Sequence, residues 1–216
     1  MGGTLVRCGV AFACVLSVMG ASTVARAQEA QPAHPAALGL SFSLLPSGNL
    51  SLSGSSGGQN ISESSDTDLA TALSPFFDYA LSPYFTLGFS PQIIFNVKGS
   101  NGTESATQYD FRVRLTAQAP VSPRILVFGR VSPGYSIIDL PNASADGSFS
   151  NPKGFLLDVA AGVSGQILPN AFVVFDLGYQ WGFQSSTFSM AGQSVDVDFR
   201  TRYLHLGLGF AVTFGS

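Results

Sequence analysis

Only two cysteines occur in the 216-residue chain, Cys8 and Cys14, and both lie in its first apolar stretch. If that stretch is removed on export, no disulfide, thiolate metal site or cysteine nucleophile is left. Lysine is nearly missing as well: Lys98 and Lys153 are the two in the chain, and all charged residues together make up 11% of it. A water-soluble surface is normally dense in Lys and Glu, so the composition does not suit one. Histidine is limited to His34 and His205, which leaves little for general-base or metal chemistry. Beyond the first residues no stretch approaches the roughly 20 consecutive apolar residues of a membrane helix. Any membrane crossing must therefore be made by a closed sheet, in which every backbone group is paired.

The N-terminus reads as an export signal. Arg7 gives a positive start, residues 8–19 are apolar, and Ala25-Arg26-Ala27 has the small-x-small form of a cleavage site. Residues 1–27 are predicted to be cleaved, in preference to lipidation at Cys14, because bulky Phe12 stands where a small residue is needed. Residues 28–37, with Pro32 and Pro35, read as a short flexible periplasmic leader, and residues 38–216 as one domain. Without Arg7 and Arg26 the chain keeps 8 basic residues against 13 acidic ones, net −5. That balance argues against a nucleic-acid partner.

What the chain does have is period-two alternation. In residues 172–183, Val173, Phe175, Leu177, Tyr179, Trp181 and Phe183 share one face and Val174, Asp176, Gly178, Gln180 and Gly182 the other. Similar segments occur at about 38–45, 68–80, 84–97, 108–119, 155–167 and 198–214. Residues 125–138 complete the set, but Leu126 and Phe128 share parity with Arg130, Ser132 and Ser136, so their facing stays open. The connections sort into two kinds. Three are short and proline-marked, at 81–84, 120–124 and 168–170; four are long and polar, at 46–67, 98–107, 139–154 and 184–197. Short turns on one rim and long loops on the other predict an all-β, eight-stranded antiparallel up-and-down transmembrane barrel with its termini in the periplasm. A soluble lipocalin-like barrel is the rival fold. Its polar row would face water, yet here that row is mostly Gly, Ala, Ser and Thr, suited to a crowded axis.

With the large row turned to lipid, the small row faces the lumen. Asp78, Asp110, Asp158 and Asp176 then point inward with Arg112, Arg114 and Arg130, and must pair across the interior because an isolated buried charge is strongly unfavourable. Such a network plugs a narrow barrel or lines a weakly conducting pore. Tyr109, Phe111, Tyr135, Phe155, Tyr179, Trp181 and Phe183 fall near the long-loop ends, where an interfacial aromatic girdle belongs. Arg200 and Arg202 share parity with the lipid-facing leucines; they either meet lipopolysaccharide phosphates or are turned inward by a bulge.

Over nearly its whole mature length the chain resembles the small eight-stranded outer-membrane barrels of the opacity and OmpA-transmembrane-domain type. Its last strand ends Gly209-Phe-Ala-Val-Thr-Phe214, which is similar to the C-terminal assembly signal of that class, so Gly209, Val212 and Phe214 are its candidate residues. The resemblance implies insertion by the barrel-assembly machinery, contact with outer-membrane lipids and lipopolysaccharide, and a structural or adhesive role with an unidentified external partner at the loops. A narrow channel for ions or small solutes is the second reading, and a lipid-modifying enzyme the third. Catalysis is not expected, since no partner that would orient His205 as a base stands out. The carboxylates Asp66, Asp68, Asp196 and Asp198 read as solvated strand ends, without the glycine-spaced loop of a calcium site. No phosphate-binding glycine loop or dinucleotide fingerprint is present, so no cofactor is expected.

Overall fold

A computed structural model describes residues 36–56, 59–97, 105–140, 148–190 and 193–215. The predicted signal and residues 28–35 of the leader lie outside the described residues. Ten strands run in chain order: β1 (Ala36–Ser56), β2 (Gln59–Thr67), β3 (Ala70–Ser82), β4 (Phe85–Val97), β5 (Ala106–Ser122), β6 (Ile125–Asp139), β7 (Ser148–Phe149), β8 (Lys153–Leu168), β9 (Ala171–Met190) and β10 (Gln193–Phe214). Eight of them close a ring in the order β1-β3-β4-β5-β6-β8-β9-β10, and β10 returns to β1. All pairings are antiparallel. Closure leaves the ring without an open edge.

Partners followed once around the ring, from Phe42 through Leu73, Ile93, Tyr109, Ile137, Lys153, Ser185 and Asp198, arrive back on β1 at Ser53. This stagger tilts the strands to the barrel axis, by about 35–45° in barrels of this kind. The bulky residues are outside. On β10 the outward row from Leu204 to Phe214 is wholly apolar, and Leu206, Leu208 and Phe210 are 49%, 50% and 46% exposed. Along a tilted strand that row makes a band roughly 25 Å tall. Apolar exposure of this extent and continuity belongs against hydrocarbon.

Each short turn is built alike. Residues 83–84, 123–124 and 169–170 turn the chain, with a register shift just beside each of them, at Ala80/Ser82, Pro120/Ser122 and Gln166/Leu168. Ser82 Oγ accepts the amide N–H groups of Tyr84 and Phe85 at 3.2 and 3.1 Å, which satisfies the donors the turn exposes. Gln118 Nε2 donates to Pro83 O at 3.3 Å and Gln166 Nε2 to Pro169 O at 2.8 Å.

The structure departs from the sequence expectation in four places. β1 starts at Ala36, two residues before the predicted barrel, and Ala36 pairs with Phe214 and Tyr79. The connections predicted at 46–67 and 184–197 are largely paired strand, as β1 runs on to Ser56 against β2 and β9 to Met190 against β10. Their few apolar residues, such as Leu50, Leu52 and Val197, lie on the inward face and the outward face is polar, so the large outward apolar row that marks the other strands is missing there. Val97 faces inward, not outward with Phe95, because a register shift between Ile94 and Val97, with Asn96 at φ 61°, reverses the parity. Finally, the inward row is not polar throughout: Leu45, Ala70, Ala72, Ile94, Val97, Ala106, Ile138 and Tyr203 form an apolar cluster toward the long-connection end.

Candidate functional site

The interior of the barrel holds the chain's concentrated chemistry. Nearest the short turns, Arg114 Nη2 lies 3.1 Å from Asp78 Oδ2, and Arg130 Nη2 lies 3.0 Å from Asp176 Oδ2. The Arg114 guanidinium also stacks 4.1 Å over the buried Phe76 ring, and Arg130 stands 5.9 Å from Phe128. Farther in, Asp158 is fully buried. It meets His205 Nε2 at 2.7 Å and Arg112 Nη1 at 3.6 Å, while Arg112 Nη2 donates to Ser74 Oγ at 3.1 Å. His205 Nδ1 lies 3.7 Å from Asp176 Oδ1, which links the two layers.

Above these, Asp110 takes the side-chain amides of Gln108 and Gln180 at 2.9 and 2.7 Å. Tyr203 donates its hydroxyl to Gln108 Oε1 at 3.4 Å, and Gln184 Nε2 reaches Ser136 Oγ at 3.2 Å and Thr201 Oγ1 at 3.4 Å. Gln108, Asp110, Gln180, Ser136, Thr201 and Tyr203 are all buried. His205 stands between the carboxylates of Asp158 and Asp176, beside the three guanidiniums. Glycines give these side chains room. A Cβ on Gly88 would collide with Asp78 Oδ1, and one on Gly207 with Asp176 Oδ1; each glycine is the register partner of the aspartate it clears.

All seven interior residues singled out in the sequence face the lumen: Arg114 with Asp78, Arg130 and Arg112 with Asp176 and Asp158 through His205, and Asp110 among neutral amides. Spacing does not reveal the partner of His205, since Asp158 is 47 residues away and meets it only across the lumen. Gln108, Gln180, Gln184 and Tyr203 are further members; their signal in the sequence is a row of neutral amides and one phenol at inward parity. The open facing of β6 resolves with Leu126, Phe128, Arg130, Ser132 and Ser136 turned inward. Arg200 and Arg202 point outward.

The aromatic residues singled out are on the outside as a joined row. Phe111, Tyr135, Phe155 and Phe183 are successive register partners across β5, β6, β8 and β9, with Tyr109, Tyr179 and Trp181 on neighbouring rungs. Phe155 and Phe183 stack at 6.5 Å between centroids, and Tyr179 and Trp181 tilt together at 4.6 Å. At the chain end, Phe214 pairs with Ala36 and its ring lies 6.4 Å from Phe77. Among the described residues no group of three His, Cys, Asp or Glu side chains converges as a metal site would.

A closed eight-stranded ring, apolar outside and ion-paired inside, defines a membrane-spanning barrel of the bacterial outer membrane. Residues 11–215 match the model of the family described as outer membrane protein beta-barrel domain, and the chain belongs to that family. Solved structures with the same fold include the outer membrane protein OprG from Pseudomonas aeruginosa, at 13% identity and TM-score 0.63, covering 84% of this chain and 97% of that one. The solid-state NMR structure of the outer membrane protein AlkL matches at 13% identity and TM-score 0.54, covering 90% and 98%. The outer membrane protease OmpT from Escherichia coli is also similar, at 10% identity and TM-score 0.46, covering 82% and 97%. No curated protein sequence matches the chain.

Proposed function

We propose that the protein is a non-enzymatic structural barrel of the outer membrane that makes surface contacts through its long-connection end. The carrying observation is the filled lumen. Side chains of β5, β6, β8, β9 and β10, including Gln108, Asp110, Ser136, Asp158, Gln180 and Tyr203, occupy the axis at 0–1% exposure. An interior filled by its own side chains has no room for a water column. The β1–β2 and β9–β10 hairpins that continue past the apolar band add a polar wall rich in Ser and Thr, a surface suited to an external partner.

In this reading the interior pairs hold the barrel shut, the row from Phe111 to Phe183 is the outer aromatic girdle, and Gly209, Val212 and Phe214 form the signal read by the barrel-assembly machinery. Residues 1–27 are the export signal and 28–35 the leader. Lipid and lipopolysaccharide are the immediate partners of the outer face.

A narrow channel is the second reading. It is favoured by a cavity within the lumen lined by Ser41, Ser43, Ser74, Arg112, Arg130 and His205, a charged vestibule that a shift of the upper layer would connect through. Planar-bilayer recording on the refolded mature protein separates the two. Silence, or rare unresolved leak, is the outcome for a plugged barrel, whereas steady discrete openings would assign it to transport.

A further inference from the structure

The outward row of β10 changes character at one point. From Phe214 back to Leu204 every outward side chain is apolar, and the next two are Arg202 and Arg200, both exposed. Arg202 has Trp181 of β9 on one side and Asn49 of β1 on the other, while Arg200 has Phe183 and Ser51. Both arginines therefore stand at the height where the apolar band ends and the aromatic row runs. The nearest acids on this face are Asp198, two residues before Arg200, and Asp66, which pairs in register with Asn49. Among the described residues neither arginine has a carboxylate at ion-pair distance.

Two cations that face a membrane without a protein counter-charge call for an anion from the membrane itself. A guanidinium is a flat fork of donors that fits phosphate oxygens in pairs, and two of them at i and i+2 on one strand face stand side by side. Hydrocarbon contact just beneath and a phosphate at the same height describe one kind of molecule. We propose that Arg200 and Arg202, flanked by Trp181 and Phe183, bind the phosphate of an outer-leaflet glycolipid, the lipid A portion of lipopolysaccharide, whose acyl chains lie along Leu204, Leu206 and Leu208. The site rests on the reading of the aromatic row as the outer interface, and it holds whether or not the lumen conducts.

Trp181 is the single tryptophan of the chain, so its fluorescence reports on the site alone. The mature protein in vesicles with brominated lipids is expected to show Trp181 quenched by bromine near the headgroups and spared by bromine at the chain ends. Native mass spectrometry of the refolded protein, offered equal amounts of bisphosphorylated and dephosphorylated lipid A, should show at least a tenfold preference for the phosphorylated form. In the R200Q/R202Q variant that preference should vanish while the heat-dependent gel shift of the folded barrel is unchanged. Equal retention of the two lipids by the wild-type protein would overturn the site even if the variant failed to fold, and so would a preference that survives in a folded variant. Deep rather than shallow quenching would overturn the interface reading beneath it, and shallow quenching without phosphate preference would overturn the site alone.

Discussion

At the scale of single residues, the lumen works because its guanidiniums meet carboxylates, Asp110 is held by neutral amides, and glycines clear space for Asp78 and Asp176. Arg130 and Asp176 show how tightly the two are linked. Both are largely removed from solvent and meet at 3.0 Å, and Asp176 has a further neighbour in His205 at 3.7 Å. Truncating one member of a buried pair leaves the other uncompensated, at a cost of about 3–5 kcal/mol, whereas removing both charges together is often nearly neutral. Arg130→Met is accordingly expected to unfold at a lower urea concentration than the wild-type barrel, read from the heat-dependent gel shift, and the Arg130→Met/Asp176→Leu double variant to recover most of the loss. A double variant no more stable than the single one would show that the pair does not act as a unit. Glycine at 88 should be as exacting, since Gly88→Val places branched carbon against the Asp78 carboxylate held by Arg114.

Strands and their joints carry the next level. The bulge at Asn96 turns Val97 from lipid to lumen, where it joins Leu45, Ile94 and Ile138 in the apolar cluster that caps the polar layers. Asn96 sits at φ 61°, a conformation that asparagine and glycine tolerate and that costs a β-branched residue about 1–2 kcal/mol or more. Asn96→Gly should therefore keep wild-type stability while Asn96→Val loses it, as measured by urea titration; equal stability of the two would remove the bulge as a determinant. Closure makes a similar demand at β10, because Phe214 is paired to Ala36 and packed near Phe77. If Phe214 is also part of the assembly signal, Phe214→Ala will lower the amount of barrel in the outer membrane by several-fold while refolding into detergent stays efficient, and equal losses in both settings would leave it a packing role alone. How far the sequence is legible follows the same physics. Strands with one apolar and one small face were readable, as were the inward charges of β5, β8 and β9, since parity alone places them. The β1–β2 and β9–β10 extensions, which lack an outward apolar row, were not, and neither were Val97 and the Asp158 to His205 contact, which depend on a bulge and on which strands stand across the lumen.

For the whole molecule, the proposed orientation follows from which rim holds the two ends of the barrel. Ala36 lies beside both Phe214 and Tyr79, and the Thr213 amide donates to Asn170 O in the β8–β9 turn at 2.8 Å, so the start and finish of the barrel share a rim with the three short turns. A barrel delivered from the periplasm would keep its ends there, so the proposed orientation has the long connections outside. The scarcity of trypsin sites turns this into a sharp test. Arg112, Arg114 and Arg130 are sealed in the lumen, Lys153, Arg200 and Arg202 are within paired strands, Lys98 directly follows β4 in the sequence, and Arg124 is in the short β5–β6 turn. Trypsin added to intact cells should cut after Lys98 and spare Arg124, because β4 ends at Val97 on the long-connection rim and Arg124 is in a turn on the other. Rupturing the outer membrane first should open Arg124 to the enzyme without changing the Lys98 cut. Cleavage at Arg124 in intact cells with Lys98 protected would invert the molecule in its membrane, and would move Arg200 and Arg202 away from the leaflet in which a glycolipid phosphate could reach them.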